Sequence, residues 1–252
     1  MGLNISLSPE VIFNLGSFPV TNAFFVSIFV TVLVLAVFLI TKAKFKTVPG
    51  RFQALMEVLI EGSFDFVESI IGDREKAKKI FPLAFTMFVF ILISNLLTYI
   101  PGQAAITLAT EEGTVPLFRA VMADYGMVFV MTMVTVILVQ IIAIVVHGPF
   151  GYLGKFFNFK SPLGFFLGLM DIIGEIAKIV SLSFRLFGNI FAGEVLGAVM
   201  LFLAPYFIPL PFMFLGLLTS VVQAFVFAVL TLVFVTLAST IEEDELVEEA
   251  SI

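Results

Sequence analysis

The sequence has no cysteine and a single histidine, His147, among 252 residues, and only 13% of its side chains are charged. The missing cysteine excludes disulfides, iron–sulfur clusters and thiol chemistry. One histidine cannot build a histidine-based metal site, and nothing else in the sequence calls for a cofactor. The shortage of charge excludes most. Ordinary globular chains are about 25% charged and about 45–50% apolar, whereas this one is 60% hydrophobic with a mean hydropathy of +1.16. A soluble domain of this length needs a far more polar shell, so composition predicts a multi-pass membrane protein. The net charge of −6 comes largely from Glu242, Glu243, Asp244, Glu245, Glu248 and Glu249 near the C-terminus. No basic patch points to a nucleic-acid partner, and no phosphate-binding G-x-x-x-x-G-K-[ST] loop is present. The first twenty residues carry no Lys or Arg, the reverse of a cleaved secretory signal.

What is abundant is apolar sequence in long runs. In lipid only helices or closed barrels satisfy the backbone, and these runs are too continuous for barrel strands. The expectation is an all-α integral membrane protein, a single membrane domain over 1–252 with five passages and one amphipathic interfacial helix. A span needs about 20 residues. The first covers 21–41 and stops at Lys42, Lys44, Lys46 and Arg51, which places that end in the cytoplasm and the N-terminus outside. Over 52–71, Glu57, Glu61, Asp65 and Glu68 recur at spacings of 4, 4 and 3, the stripe of an amphipathic helix lying on the cytoplasmic surface. That stripe is either solvated or turned toward a partner protein. The second span, 80–100, ends at Pro101-Gly102, and a loop to about residue 123 lies outside. The third, 125–146, returns at His147-Gly148-Pro149, with His147 an interfacial residue. From Pro162 no strong breaker occurs before Pro205. A helix over 162–204 is about 63 Å long, twice the hydrocarbon thickness, so it is strongly inclined or bent. A final inclined helix over 212–240 leads to an acidic cytoplasmic tail, 241–252.

Ionisable side chains within a bilayer are costly and default to function. The long helix carries Asp171, Glu175, Lys178, Arg185 and Glu194. At about 100° per residue, Asp171, Glu175, Lys178, Arg185 and Asn189 share an arc of about 80°, with Ser181 at its edge and Glu194 facing elsewhere. Asp171, Glu175 and Lys178 fit either an ordinary helical Glu–Lys pairing or a functional stripe. Arg185 fits less easily into a structural role. It lies some 23 residues into the helix among Leu182, Phe184, Leu186, Phe187, Ile190 and Phe191, too deep to snorkel easily. The first three spans offer no central carboxylate, so its counter-charge is expected from another polypeptide. Gly193 and Gly197 form a small-xxx-small spacing that permits close helix approach, whether internal or external. Gln223, an amide among Val221, Val222, Ala224 and Phe225, needs a partner, and Asn189 or Arg185 is the natural candidate.

The run from Lys178 through Ser181, Arg185 and Asn189 to Glu194 resembles the signature of subunit a of the F-type ATP synthase. The stretch Gln223–Thr231 is similar to that family's final helix, and Asn95–Pro101, Pro116–Asp124 and Ser8–Asn22 are weaker matches. The resemblance implies a non-catalytic stator in the bacterial inner membrane, one copy per complex. Its expected partners are a ring of small carboxylate-bearing membrane subunits, peripheral-stalk membrane subunits and the lipid bilayer. It further implies that Arg185 faces the ring, with Gln223 and Asn189 beside it. Glu194 would then lie in a half-channel open to the outside, and Ser181, Lys178, Glu175 and Asp171 where the other half-channel opens inward. The chain departs from the family at three places. Gly216 stands where some members have a His paired with the Glu194-position acid, Thr98 stands where some have an acid, and Tyr125-Gly126 replaces the usual Leu-Asn. An ion-coupled secondary transporter is the alternative, but it predicts repeated halves around a midplane site, and no such repeat is visible.

Overall fold

The computed structural model describes residues 9–16, 18–43, 45–100, 106–110, 113–156, 162–204 and 206–249. Among them, six helices and two small hairpins follow in the order β1 (Val11–Leu15), β2 (Phe18–Thr21), α1 (Asn22–Ala43), α2 (Arg51–Ile71), α3 (Arg74–Leu97), β3 (Thr107–Thr110), β4 (Gly113–Pro116), α4 (Tyr125–Phe156), α5 (Pro162–Leu203) and α6 (Pro209–Glu249). Five of the helices, all but α2, are long and apolar enough to cross a membrane. The protein is an all-α multi-pass membrane protein.

Helix boundaries follow local chemistry. Asp73 caps α3, its carboxylate accepting the amides of Glu75 at 2.7 Å and Lys76 at 3.2 Å. Those two bonds, that from Lys76 first, hold the Asp73 carboxyl below its ordinary pKa. Gly72 supplies the left-handed residue (φ 76°) that ends α2. α4 runs through its apolar part to Val146 and breaks at Gly148, where φ is 74°. Only glycine adopts that angle cheaply, and the proline that follows further disfavours helix there. α6 starts at Pro209, not near 212, because Pro209 and Pro211 both sit in a first turn whose amides need no helical acceptor. It also continues to Glu249 through the region expected as tail.

Two features were not foreseen. The paired strands β1–β2 and β3–β4 are two antiparallel hairpins, joined to the bundle through fully buried Asn22, whose Nδ2 donates to Pro116 O at 3.3 Å. The loop before α4 is also not peripheral. Ala120, Val121, Met122 and Ala123 are buried in the main core with Val30, Ile91, Leu186 and Phe227. Its only structure of its own is a 3-10 turn at Val121–Ala123. Four consecutive apolar residues at the mouth of a helical bundle gain more by entering it than by lying on it.

α2 rests on α3 and α6. Phe64 meets Phe81 edge-on at 5.5 Å and Phe66 lies 5.3 Å from Phe225. Val67 joins a small core with Ala77, Ile80 and Leu232. Glu61 and Asp65 are exposed, whereas Glu57 and Glu68 are half-buried. Glu57 accepts from Gln53 at 2.8 Å and Glu68 faces Arg74 at 3.5 Å. The two ends of the bundle thus differ. One gathers Lys42, Lys46 and Arg74, while the other carries both hairpins.

Candidate functional site

α5 is one unbroken helix of 42 residues and the least buried of the five apolar spans. Leu182, Leu186 and Ile190, spaced by four, are buried against the core. Ala177, Val180, Ser181, Phe184 and Ala192 are exposed. The polar residues lie along the seam between these two faces. Arg185 is exposed on that seam, and no ion pair to it occurs among the described residues. Its helix is held in place behind it by aromatic packing, with Tyr125 of α4 at 5.2 Å from Phe184 and 5.6 Å from Phe187.

The structure brings together two groups of the residues singled out from sequence. One turn from Arg185, Asn189 Nδ2 donates to Gln223 Oε1 of α6 at 2.7 Å. Of the two candidates for Gln223, Asn189 is therefore the one that meets it. Gln223 is 4% exposed and its Nε2 has no partner among the described residues. Seven residues from Arg185 on the other side, Lys178 Nζ bonds Glu175 Oε1 at 2.7 Å and lies 5.2 Å over the ring of Phe234. Glu175 Oε2 accepts from Gln140 of α4 at 2.6 Å. The Glu–Lys pairing is thus real, and an amide from a neighbouring helix completes it. Asp171 is half-buried one turn further on, and Ser181 opens to the uncovered face.

Glu194 stands apart. Nine residues beyond Arg185, or about 13 Å along the axis, it lines a cleft of about 250 Å³ at the hairpin end. Thr98 and Tyr99 from the end of α3, Gly197 of α5, and Pro209 and Met213 of α6 also line it. Arg119, from the loop before α4, is the cation whose field reaches Glu194. Glu175 and Glu194 are therefore on opposite sides of Arg185 along one helix and do not meet.

Gln140, Arg119, Tyr99, Asn95 and Ser220 belong to this neighbourhood but were not singled out as site residues from the sequence. Gln140 had a legible signal, an amide between Val139 and Ile141, the same feature that marked Gln223. Arg119 and Tyr99 lie in stretches read as loop and span end, and only the fold brings them to Glu194. Thr98 lines the cleft beside Tyr99, its hydroxyl donating to Ser94 O at 3.3 Å. Gly126 donates its amide to buried Asp124 at 2.9 Å, so the Tyr125-Gly126 departure serves the start of α4.

The sequence profile described as ATP synthase A chain matches residues 24–236. The chain is 33% identical over 227 residues to ATP synthase subunit a of Moorella thermoacetica, covering 90% of this chain and 94% of that protein. It is 35% identical over 209 residues to the protein of the same name from Geobacter sulfurreducens, covering 82% of each. To that of Campylobacter concisus it is 31% identical over 216 residues, covering 86% and 88%. With five apolar spans, one polar seam along the longest of them and a family match across most of its length, the chain belongs to the F-type ATP synthase subunit a family.

Proposed function

We propose that this chain is the stator against which a ring of carboxylate-bearing subunits turns, and that it offers two offset half-channels separated by the fixed charge of Arg185. The observation that carries this reading is a cation on the uncovered face of a membrane helix with no ion pair among the described residues. A charge in that position needs an anion from outside the chain. The cleft at Glu194 serves as the entry from the outside. The Glu175–Lys178–Gln140 group, with Asp171 and Ser181, lies toward the inner exit. The Lys/Arg-rich end is then cytoplasmic by the positive-inside rule, and the hairpins face outward.

The chemistry follows from the guanidinium. Arginine effectively never deprotonates in a protein, so an approaching ring carboxylate is driven to ionise and release its proton inward. The same charge bars a proton from passing directly between the two half-channels. A carboxylate leaving Arg185 must take a proton from the outer side before it enters lipid, so flow obliges rotation. A potential of 100 mV contributes about 2.3 kcal/mol per elementary charge. ATP is made elsewhere in the complex, and this chain contributes no catalytic group to that step.

The native absence of cysteine makes the test direct. In the assembled complex, Ser181→Cys and Ala192→Cys are expected to form disulfides with cysteines placed next to the ring carboxylate. Ser183→Cys, at a fully buried position, is expected not to. Equal cross-linking from both faces would overturn the reading.

A further inference from the structure

α5 and α6 approach closely where both carry glycine. A methyl group built on Gly193 would lie 4.0 Å from the Cα of Gly216. The side chain of Tyr99 enters this notch from the third helix. A methyl on Gly216 would stand 2.5 Å from Tyr99 Oη and 3.2 Å from its Cζ, and one on Gly193 would stand 3.5 Å from the same oxygen. Tyr99 is held there from behind, since its amide bonds Leu96 O at 3.1 Å in the turn that closes α3. Tyrosine at 99 and glycine at 216 are therefore one feature. The ring occupies the volume that any side chain at 216 would need.

The hydroxyl so placed has polar groups on both sides. It lines the cleft that holds Glu194, and it accepts a hydrogen bond from Ser220 Oγ at 3.3 Å. Beyond Ser220 the polar seam continues inward. Ser220 O accepts from Asn95 Nδ2 at 3.3 Å. Asn95 Oδ1, a buried acceptor, and Gln223 Nε2, a buried donor one turn from Ser220, have no partners among the described residues. Buried polar atoms left in this state are the usual seats of ordered water.

We propose that the Tyr99 hydroxyl is the relay group of the outer half-channel in this protein, linking the cleft of Glu194 to the buried Ser220 hydroxyl. This rests on the half-channel reading above. A phenol donates one hydrogen bond and accepts others. Once the two hydroxyls turn so that the phenol donates to Ser220 Oγ, its oxygen can take a proton from the Glu194 side on a lone pair while its own proton passes to Ser220 Oγ, leaving the phenol neutral. No co-reactant is needed, and rotation of the two hydroxyls resets the pair. From Ser220 Oγ the proton passes to water seated against Asn95 Oδ1 and Gln223 Nε2 and so toward Arg185, the amides orienting that water without carrying the proton themselves.

The test is Tyr99→Phe in membrane vesicles carrying the complete complex, with Glu194→Gln beside it and assembly matched by immunoblot. Phenylalanine keeps the ring in the notch and removes only the hydroxyl, so a purely space-filling role leaves conduction at the wild-type rate. Proton conduction in Tyr99→Phe is expected to fall about tenfold, below the roughly 10²–10⁴-fold contributed by a group that transfers a proton directly, because water partly replaces the phenol. Tyr99→Cys adds a second measure, with silver ions expected to block conduction through this one thiol. Wild-type conduction in Tyr99→Phe, with Glu194→Gln slowed, overturns the role of Tyr99 and leaves the half-channel standing. Wild-type conduction in both variants overturns the half-channel reading as well.

Discussion

Replacing Arg185 by alanine removes the cation of α5 that has no ion pair among the described residues while leaving the buried face of Leu182, Leu186 and Ile190 untouched. With an effective dielectric constant near 20, a guanidinium about 4 Å from a carboxylate contributes about 4 kcal/mol to keeping it ionised. That corresponds to about three pH units, or roughly a thousandfold in the ionised fraction. The next cation along the helix, Lys178, is seven residues away, about 10 Å along the axis. At that distance it offers at most about 1.7 kcal/mol, and it is already paired with Glu175. Nothing in the described chain can therefore stand in for Arg185. In vesicles given a pH gradient and a potential, Arg185→Ala is expected to make ATP at no more than about 1% of the wild-type rate. Complex content is equalised by the ATP hydrolysis of the soluble head. Arg185→Lys is expected to retain little more, since an ammonium group can give up its proton when desolvated. Synthesis by Arg185→Ala at half the wild-type rate or above would refute the electrostatic argument.

Two further outcomes follow from the contacts. Gln223→Leu removes the 2.7 Å bond from Asn189 and an unpartnered buried Nε2 together. The lost bond costs about 1 kcal/mol and the lost orphan returns a similar amount. Thermal stability of the purified complex should therefore change little, while proton-driven synthesis falls several-fold but less than in Arg185→Ala; equal losses would show that the roles are ranked wrongly. Gly216→Ala places a methyl 2.5 Å from Tyr99 Oη. It should destabilise the meeting of α3, α5 and α6 by about 1–3 kcal/mol, as overpacking does, seen as faster thermal inactivation that Tyr99→Ala in the same chain relieves.

The helices were legible because the bilayer simplifies the code. Backbone self-satisfaction and span length leave few alternatives, and the spans, the 162–204 helix and the break at His147-Gly148-Pro149 all follow from counting apolar residues and breakers. Arg185 was legible for the same reason, since one permanent charge among Leu182, Phe184 and Leu186 admits few explanations. The arc of polar residues on α5 follows from helical geometry alone. The angle alone could not say that this arc lies at the border between a covered and an open face, because that depends on where α6 packs.

Tertiary structure decided what lies around Glu194 and Glu175. Gln140 reaches Glu175 from 35 residues away in the chain, and Ser220 reaches Tyr99 from 121 away. Such pairings leave no periodic trace, since each involves one residue on each of two helices. The burial of Ala120–Ala123 left no sign in the sequence because four residues are too few to show a period, and only the mouth of the bundle gives them somewhere to go. Sequence thus determined the elements and the isolated charge, through the uniform demand of lipid on every backbone group. The partners of each polar side chain were decided by helix packing, because a hydrogen bond depends on an approach of a few ångströms that no single helix contains.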